Sequence, residues 1–299
     1  MKRHEARGAA VALLLLASAS AWSGESISGC DAIHASLGKT LRWRQAAPGM
    51  DVAQFAFGSD TLRDLTIVRV SNSTYRIRSF DLRDIGAINR HRGYYAPPQY
   101  SIRELRRTVA PSALITSAGM TKSYSEPIPA GFLRVAGETR SSPATKDATL
   151  DGVVCLADGG VPAILSEVVA GHRRAPGSVG RCRSGFQAGP VLLAHGDRTV
   201  SEHHLKTERV VFGLDAAGSS YLASSSGATT AALACALSSP ALHVSDAIAL
   251  QGDSLSGIDF GTSFGRLLPS TEFGNIDATV ASALIVEPRL RAPGTAALK

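Results

Sequence analysis

Ile248-Ala249-Leu250-Gln251-Gly252-Asp253-Ser254-Leu255-Ser256-Gly257 is the stretch whose reading decides the fold. Ala247 to Leu250 is a short unbroken apolar run of the kind a fully buried strand shows, and Gly252-Asp253 stops it in a turn. The chain around it repeats this grammar. Short Val/Ile/Leu runs recur between Gly, Ser, Thr and Asn turn signals, so strands should outnumber helices. The expected class is α+β, with strand-rich mixed sheets and a few packed helices in one main domain.

Several elements can be placed. Leu65 to Ser79 holds two alternating runs around Asn72-Ser73 and reads as a hairpin, while Asp84 to Tyr100, with Pro97-Pro98, reads as a loop. Ser101, with Glu104 three residues on, forms a capping box for a short helix to Val109. Strands are expected at 113–116, 131–135, 152–156, 190–194, 210–214, 221–224 and 247–250, and 281–286 should close the sheet. Ala228 to Leu237 is Ala-rich and reads as a helix with Thr229 and Thr230 in its first turn.

The ends carry a different message. Lys2, Arg3 and Arg7 precede an apolar run from Ala9 to Ala17 and a small-x-small site, Ala19-Ser20-Ala21, so residues 1–21 read as a secretory signal. No stretch approaches the roughly 20 apolar residues of a membrane span. The expectation is an exported protein, periplasmic or secreted, with an N-terminal region at 22–111, a main domain at 112–287 and a mobile tail at 288–299. Removing the signal takes away three basic residues and Glu5, which lowers the formal net charge from +6 to +4. That weak bias, with Arg clusters set among Gly and Pro, argues against nucleic acid as a partner. The four cysteines, Cys30, Cys155, Cys182 and Cys235, permit two disulfides in any of three connectivities. Their spacing matches no zinc site, and neither a metal nor a cofactor is expected.

Gly252-Asp253-Ser254-Leu255-Ser256 invites a comparison with the nucleophile block of GDSL-type esterases. Such an enzyme needs a histidine to activate the serine, normally in an Asp-x-x-His block downstream. Only 45 residues follow Ser254 and none is histidine, while the one such block, Asp31-Ala32-Ile33-His34, lies far upstream. The esterase reading is therefore set aside.

A run of segments in order gives a better account. Ser117-Ala118-Gly119-Met120, then Pro129-Ala130-Gly131-Phe132, then Gln187-Ala188-Gly189-Pro190, then Arg209-Val210-Val211-Phe212-Gly213, and finally Leu250-Gln251-Gly252 together resemble the motifs of the phosphodiester glycosidase family. The resemblance runs from about Ser112 to Glu287. It implies a hydrolase that cleaves the glycosidic bond of a sugar 1-phosphodiester, with an anionic glycan as partner. Such a reaction expels a phosphate monoester, so gripping the anion matters more than a strong general acid. The resemblance puts Gln251 and Ser117 at the catalytic positions, and Asp253, two places past Gln251, is the candidate to supply a carboxylate in its stead. It gives substrate contacts to Arg209, Gln187, Gly119, Gly189, Gly252 and Ser256, with Arg209 expected to hold phosphate oxygens, and His204, just before the Arg209 strand, is a further candidate phosphate contact. The family's Asn is Ser117 here and its Asp is Gln251, which can hydrogen-bond but carries no charge. A non-catalytic relative that binds anionic glycans is the alternative. Either way, Arg209, Gln187, Ser117 and Gln251 are expected to meet in one pocket.

Overall fold

The computed structural model describes residues 29–86, 100–122, 127–147, 149–157, 161–169, 172–174, 179–200 and 205–289. The signal segment, His204 and the tail beyond Arg289 lie outside the described residues.

Three sheets organise the chain, and every strand pairing among the described residues is antiparallel. The largest has eight strands in the order Arg44–Ala47 (β1), Met50–Ala56 (β2), Asp64–Ser71 (β3), Ser219–Ala228 (β15), Thr207–Asp215 (β14), Val244–Gly252 (β16), Val191–Ala194 (β12) and Asp197–Arg198 (β13). A six-stranded sheet runs His172–Arg174 (β10), Ala163–Val169 (β9), Gly152–Leu156 (β8), Ser184–Ala188 (β11), Leu133–Val135 (β6) and Glu138–Ser141 (β7). The third has five strands, Glu272–Gly274 (β18), Gly257–Asp259 (β17), Leu114–Ala118 (β5), Ser282–Pro288 (β19) and Tyr75–Asp81 (β4).

The strand alternation explains how these sheets stack. In β3, Leu65 and Ile67 point to one face of the large sheet, while Val68 and Val70 point to the other. The first face is covered by helices Cys30–Thr40 (α1) and Thr230–Leu237 (α3), through Ile33, Leu37, Leu233 and Leu237. The second, inner face packs against the other two sheets in one core that takes Leu114 from β5, Phe186 from β11 and Leu284 from β19. Sheets covered on both sides need continuous apolar runs, and β8 accordingly buries all five of its residues. Strands from the 22–111 region form no layer of their own, since β1 to β3 extend the large sheet and β4 edges the third.

The local signals mostly act as expected. Ser101 caps Ile102–Arg106 (α2), its Oγ accepting from Glu104 N, and Thr229 caps α3, its Oγ1 accepting from Ala232 N at 3.1 Å. Thr229 thus precedes the first turn rather than joining it. The hairpin expected over Leu65 to Ser79 is not formed. Both strands and the turn exist, but β3 pairs with β2 and β15, whereas β4 pairs with β19 in a different sheet. Alternation fixes which residues are extended; it does not say which strand they pair with.

Two disulfides each tie elements within a layer. Cys30–Cys235 joins α1 to α3 across 205 residues of sequence, and Cys155–Cys182 closes a shorter loop beneath the six-stranded sheet. Such bonds fit an oxidising compartment. No helix among the described residues is long and apolar enough to cross a membrane.

Candidate functional site

Cross-strand partners in a sheet share a face, so the inner face of the large sheet can be followed in rows. Val52, Val68, Leu222, Phe212 and Ile248 make one apolar row. Two residues further along four of the strands, and three along β16, the row becomes Gln54, Thr66, Ser224, Val210 and Gln251. Hydroxyl and amide groups have replaced methyl groups. Ser224 Oγ and Gln251 Oε1 are both buried and, among the described residues, both lack a hydrogen-bond partner. Leaving a buried polar atom unmet costs about 1–3 kcal/mol, so two on the same row mark a place where stability has been yielded.

Gln251 reaches this face through a bulge. Val210 pairs with Gln251 but Val211 pairs with Ala249, which leaves Leu250 as the extra residue of β16. Two carboxylates lie just beyond the row. Asp64 accepts from Ser226 N at 2.8 Å and from Ser226 Oγ, while Glu208 shares the face of Val210 and directs its carboxylate toward Gly274. Gly274 has φ +64 and a side chain there would meet Ser256 O, so only glycine suits that wall.

The turn after Gln251 is tightly pinned. Ser256 Oγ donates to Gln251 O at 2.9 Å, and Gly257 N donates to Ser117 Oγ at 3.2 Å, which ties the turn to β5. Asp253 sits exposed in the left-handed region at φ +62, accepting from Thr207 Oγ1 at 3.0 Å. Ser254 is exposed beside it, but the histidine of the upstream Asp-x-x-His block is held on α1, with His34 Nε2 2.7 Å from Cys235 O. The geometry therefore gives the GDSL-like string no activating base from that block.

Two expected contacts point elsewhere. Arg209 neighbours Val210 in β14 and so leaves the sheet on the opposite face from Gln251. There its Nε donates to Ala228 O at 3.1 Å and its Nη2 to Leu205 O at 3.0 Å, while Nη1 lies 3.2 Å from where a Cβ on Gly252 would be. Burial pushes this guanidinium below the usual arginine range, and Asp253 opposes that shift. Gln187 faces away from the shared core, on the side of Val153 and Phe132. Its Oε1 accepts from Phe132 N and Ala144 N, and its Nε2 donates to Ala144 O and Leu150 O. Every polar atom of that amide is occupied by backbone. Gly119, at φ +60, and Gly189, in a cis bond to Pro190, are likewise close-packed, against Gln187 O and Asp151 Oδ1. The expected convergence of four residues on one pocket is thus not met. Gln251, Gly252, Asp253, Ser256 and Ser117 cluster at the turn, Arg209 braces it from the other face, and Gln187, Gly119 and Gly189 belong to a separate packing locus.

No protein-family model and no curated protein matches the sequence. The fold, in contrast, is shared. The catalytic domain of zebrafish N-acetylglucosamine-1-phosphodiester alpha-N-acetylglucosaminidase, in a structure auto-inhibited by its pro-peptide, is similar with a TM-score of 0.54 and 13% identity. The likeness covers 82% of this chain and 86% of that one. A hypothetical protein from Synechocystis is similar with a TM-score of 0.53 and 13% identity over 83% of this chain. The chain spans 64% of that protein's length. This chain therefore has the fold of a phosphodiester glycosidase catalytic domain, which at such identity is a statement about architecture.

Sequence reasoning missed Ser224, Thr66, Glu208 and Asp64. One signal was available for the first. In Ser219–Ala228 the inward residue Leu222 is followed two places on by Ser224, and a serine at a core position of a buried strand stands out.

Proposed function

We propose that this chain is a phosphodiester glycosidase-like hydrolase, exported and acting on sugar 1-phosphodiesters of envelope or extracellular glycans. Its working surface is the Ser224–Gln251 end of the inner face. The observation that carries the reading is the pair of buried, unpartnered atoms on one row, Ser224 Oγ and Gln251 Oε1, within the fold of a glycosidase catalytic domain. Donors and acceptors already stripped of water are suited to orienting sugar hydroxyls or a water molecule at low reorganisation cost. In the reaction, water adds to the anomeric carbon, the glycosidic C–O bond breaks, and the phosphate monoester leaves with the oxygen.

Gln251 can orient that water but cannot accept its proton. Glu208, on the same face, is the carboxylate best placed to do so, and Asp253 offers a second at the turn. Arg209 serves by holding the Gly252 turn from behind rather than by gripping the substrate. The neutral side chain at 251 also favours a second reading, in which the same surface binds an anionic glycan without cleaving it.

The two readings separate in one assay. The mature protein and its Gln251→Asp variant are incubated with an N-acetylglucosamine phosphodiester and sugar release is measured. The hydrolase reading expects turnover in the wild type that Glu208→Gln abolishes, with a gain of about 100- to 10,000-fold in Gln251→Asp. Silence in both proteins, with saturable binding of the diester, leaves the binding reading.

A further inference from the structure

The two disulfides have different surroundings. Cys155 and Cys182 are both buried, in a small apolar cluster with Phe132 and Val153. Cys30 is half-buried at the first residue of α1, whereas its partner Cys235 is buried in the last turn of α3. One pair is closed off; the other shows one sulfur to solvent.

The exposed sulfur has positive neighbours. Arg198, on the edge strand β13, directs Nη1 at Cys30 Sγ from 3.2 Å. His34, one turn along α1, places Nε2 3.7 Å from the same sulfur and 2.7 Å from Cys235 O. A carbonyl oxygen only accepts, so Nε2 carries a hydrogen and its N–H dipole lies beside the sulfur. The first-turn N–H groups of this 11-residue helix, for which Gly29 supplies no side-chain cap, add partial positive charge. Asp31, next along the helix, and Asp197, beside Arg198 in the chain, are the acids nearest in sequence, and α3 carries no charged residue. Arg198 is the charged group in contact.

A cysteine at a helix N-terminus beside an arginine is stabilised as the thiolate, whereas one buried among apolar groups is not. The bond therefore joins an accessible sulfur that leaves readily to a sheltered one. We propose that Cys30–Cys235 is a thiol–disulfide exchange site, with Cys30 as the exchanging sulfur and a dithiol as its partner, while Cys155–Cys182 is structural. A thiolate of the dithiol attacks Cys30 Sγ, the S–S bond breaks, and the electron pair passes to Cys235, which takes the proton of the dithiol's second thiol. That second sulfur then attacks the one joined to Cys30, closing a cyclic disulfide and releasing Cys30 as a thiolate. The protein gains two electrons and the dithiol loses two. Stabilising the released thiolate favours the open form. Ile33 and Leu37 also pack α1 on the large sheet, which keeps the helix seated once the bond opens. The proposal does not depend on the glycosidase reading.

The test equilibrates the full mature chain with graded ratios of reduced to oxidised dithiothreitol, blocks free thiols in acid, and identifies the opened pairs by peptide mass spectrometry. Cys30–Cys235 should open at a ratio at least about tenfold lower than Cys155–Cys182. In the opened protein, alkylation of Cys30 by iodoacetamide should rise with pH through a midpoint at least about one unit below the ordinary thiol value of about 8.5. Arg198→Gln, at an exposed position of an edge strand, should raise that midpoint by at least about half a unit, and Arg198→Lys should restore part of the shift. Circular dichroism checks that the opened chain and both variants remain folded. Opening of both disulfides at one ratio, or of Cys155–Cys182 first, overturns the proposal, as does a midpoint at or above the ordinary value or an opened chain that has lost its strand signal. A midpoint that Arg198→Gln leaves in place overturns the role given to Arg198.

Discussion

Strands β3 and β15 run through both ends of the inner face, with Thr66 and Ser224 at one and, just past β3, Asn72 beside Ser220 at the other, yet the two ends are built differently. At the Gln251 end two buried neutral side chains, Ser224 and Gln251, each hold an atom unpartnered among the described residues, the carboxylates of Asp64 and Glu208 lie just beyond, and the nearby cation, Arg209, is turned to the other face. At the Asn72 end Ser220 Oγ donates to Asn72 Oδ1 at 2.8 Å, Arg289 Nε donates to Asn72 O and Tyr75 O, and the adjoining turn is braced by Tyr221 donating to Asp215 at 2.9 Å. Between them lies the apolar row through Leu222 and Phe212. The contrast teaches that one pair of strands can commit its polar groups to bracing a turn at one end and leave them unmet at the other. Charges work while still partly hydrated, whereas neutral hydrogen-bonding groups act best where water is already gone.

The comparison can be broken at its middle. Phe212→Ala opens the row that separates the ends and should cost about 3–5 kcal/mol in a urea titration. A loss under about 1 kcal/mol would mean the two ends are not supported by one packed core. A smaller effect is expected for Gln251→Asp, which places a carboxylate where the amide oxygen has no partner, at about 1–3 kcal/mol near neutral pH. Burial would raise the folded-state pKa of that new carboxyl, so the penalty should vanish at low pH and grow as pH rises through the unfolded and then the folded value. Stability that is flat with pH in this variant would place the side chain in solvent.

The Asn72 end should respond to base instead. Burial, helped by the bond to Asp215, holds the Tyr221 phenol well above its usual range. Its contribution is therefore intact below about pH 10 and lost as pH rises through the folded value. Tyr221→Phe should cost about 1 kcal/mol at neutral pH and flatten the alkaline decline. The smallest effects give the sharpest contrast. Ser224→Ala removes an unmet hydroxyl and should be neutral or stabilising by up to about 1 kcal/mol, whereas Ser220→Ala on the same strand breaks a bond to Asn72 and should cost about 1 kcal/mol. Equal and opposite signs from two serines four residues apart would locate the functional end by stability alone.

Much of the architecture was legible in the chain because buried strands and capped helices are local signals. β8, β16 and α3 stand where apolar runs and an Ala-rich segment place them, with Thr229 moved from the first turn to the cap. What depends on partners was not. The runs around Asn72 are true strands that part company at the turn, and no alternation pattern distinguishes a hairpin from a corner between sheets. Gln251 shows the same limit in one residue. Ile248 and Leu250 face the core, so strict alternation would turn Gln251 outward, and only the bulge opposite Val210 turns it in. Gln187 looked like a substrate ligand because amides often are, but its four backbone partners come from three distant segments that sequence cannot bring together.

The third sheet carries a consequence for how the molecule comes into being. Its order sets β19, Ser282–Pro288, between β5 and β4, two strands made early in the chain. Contacts so remote in sequence make for slow folding, and here they also impose an order of events. While the ribosome is still adding residues before Ser282, Tyr75–Asp81 and Leu114–Ala118 have nothing to hold them side by side. The growing chain cannot lock itself shut ahead of time, and a fragment released short of that strand would expose two open edges to any neighbour able to pair with them.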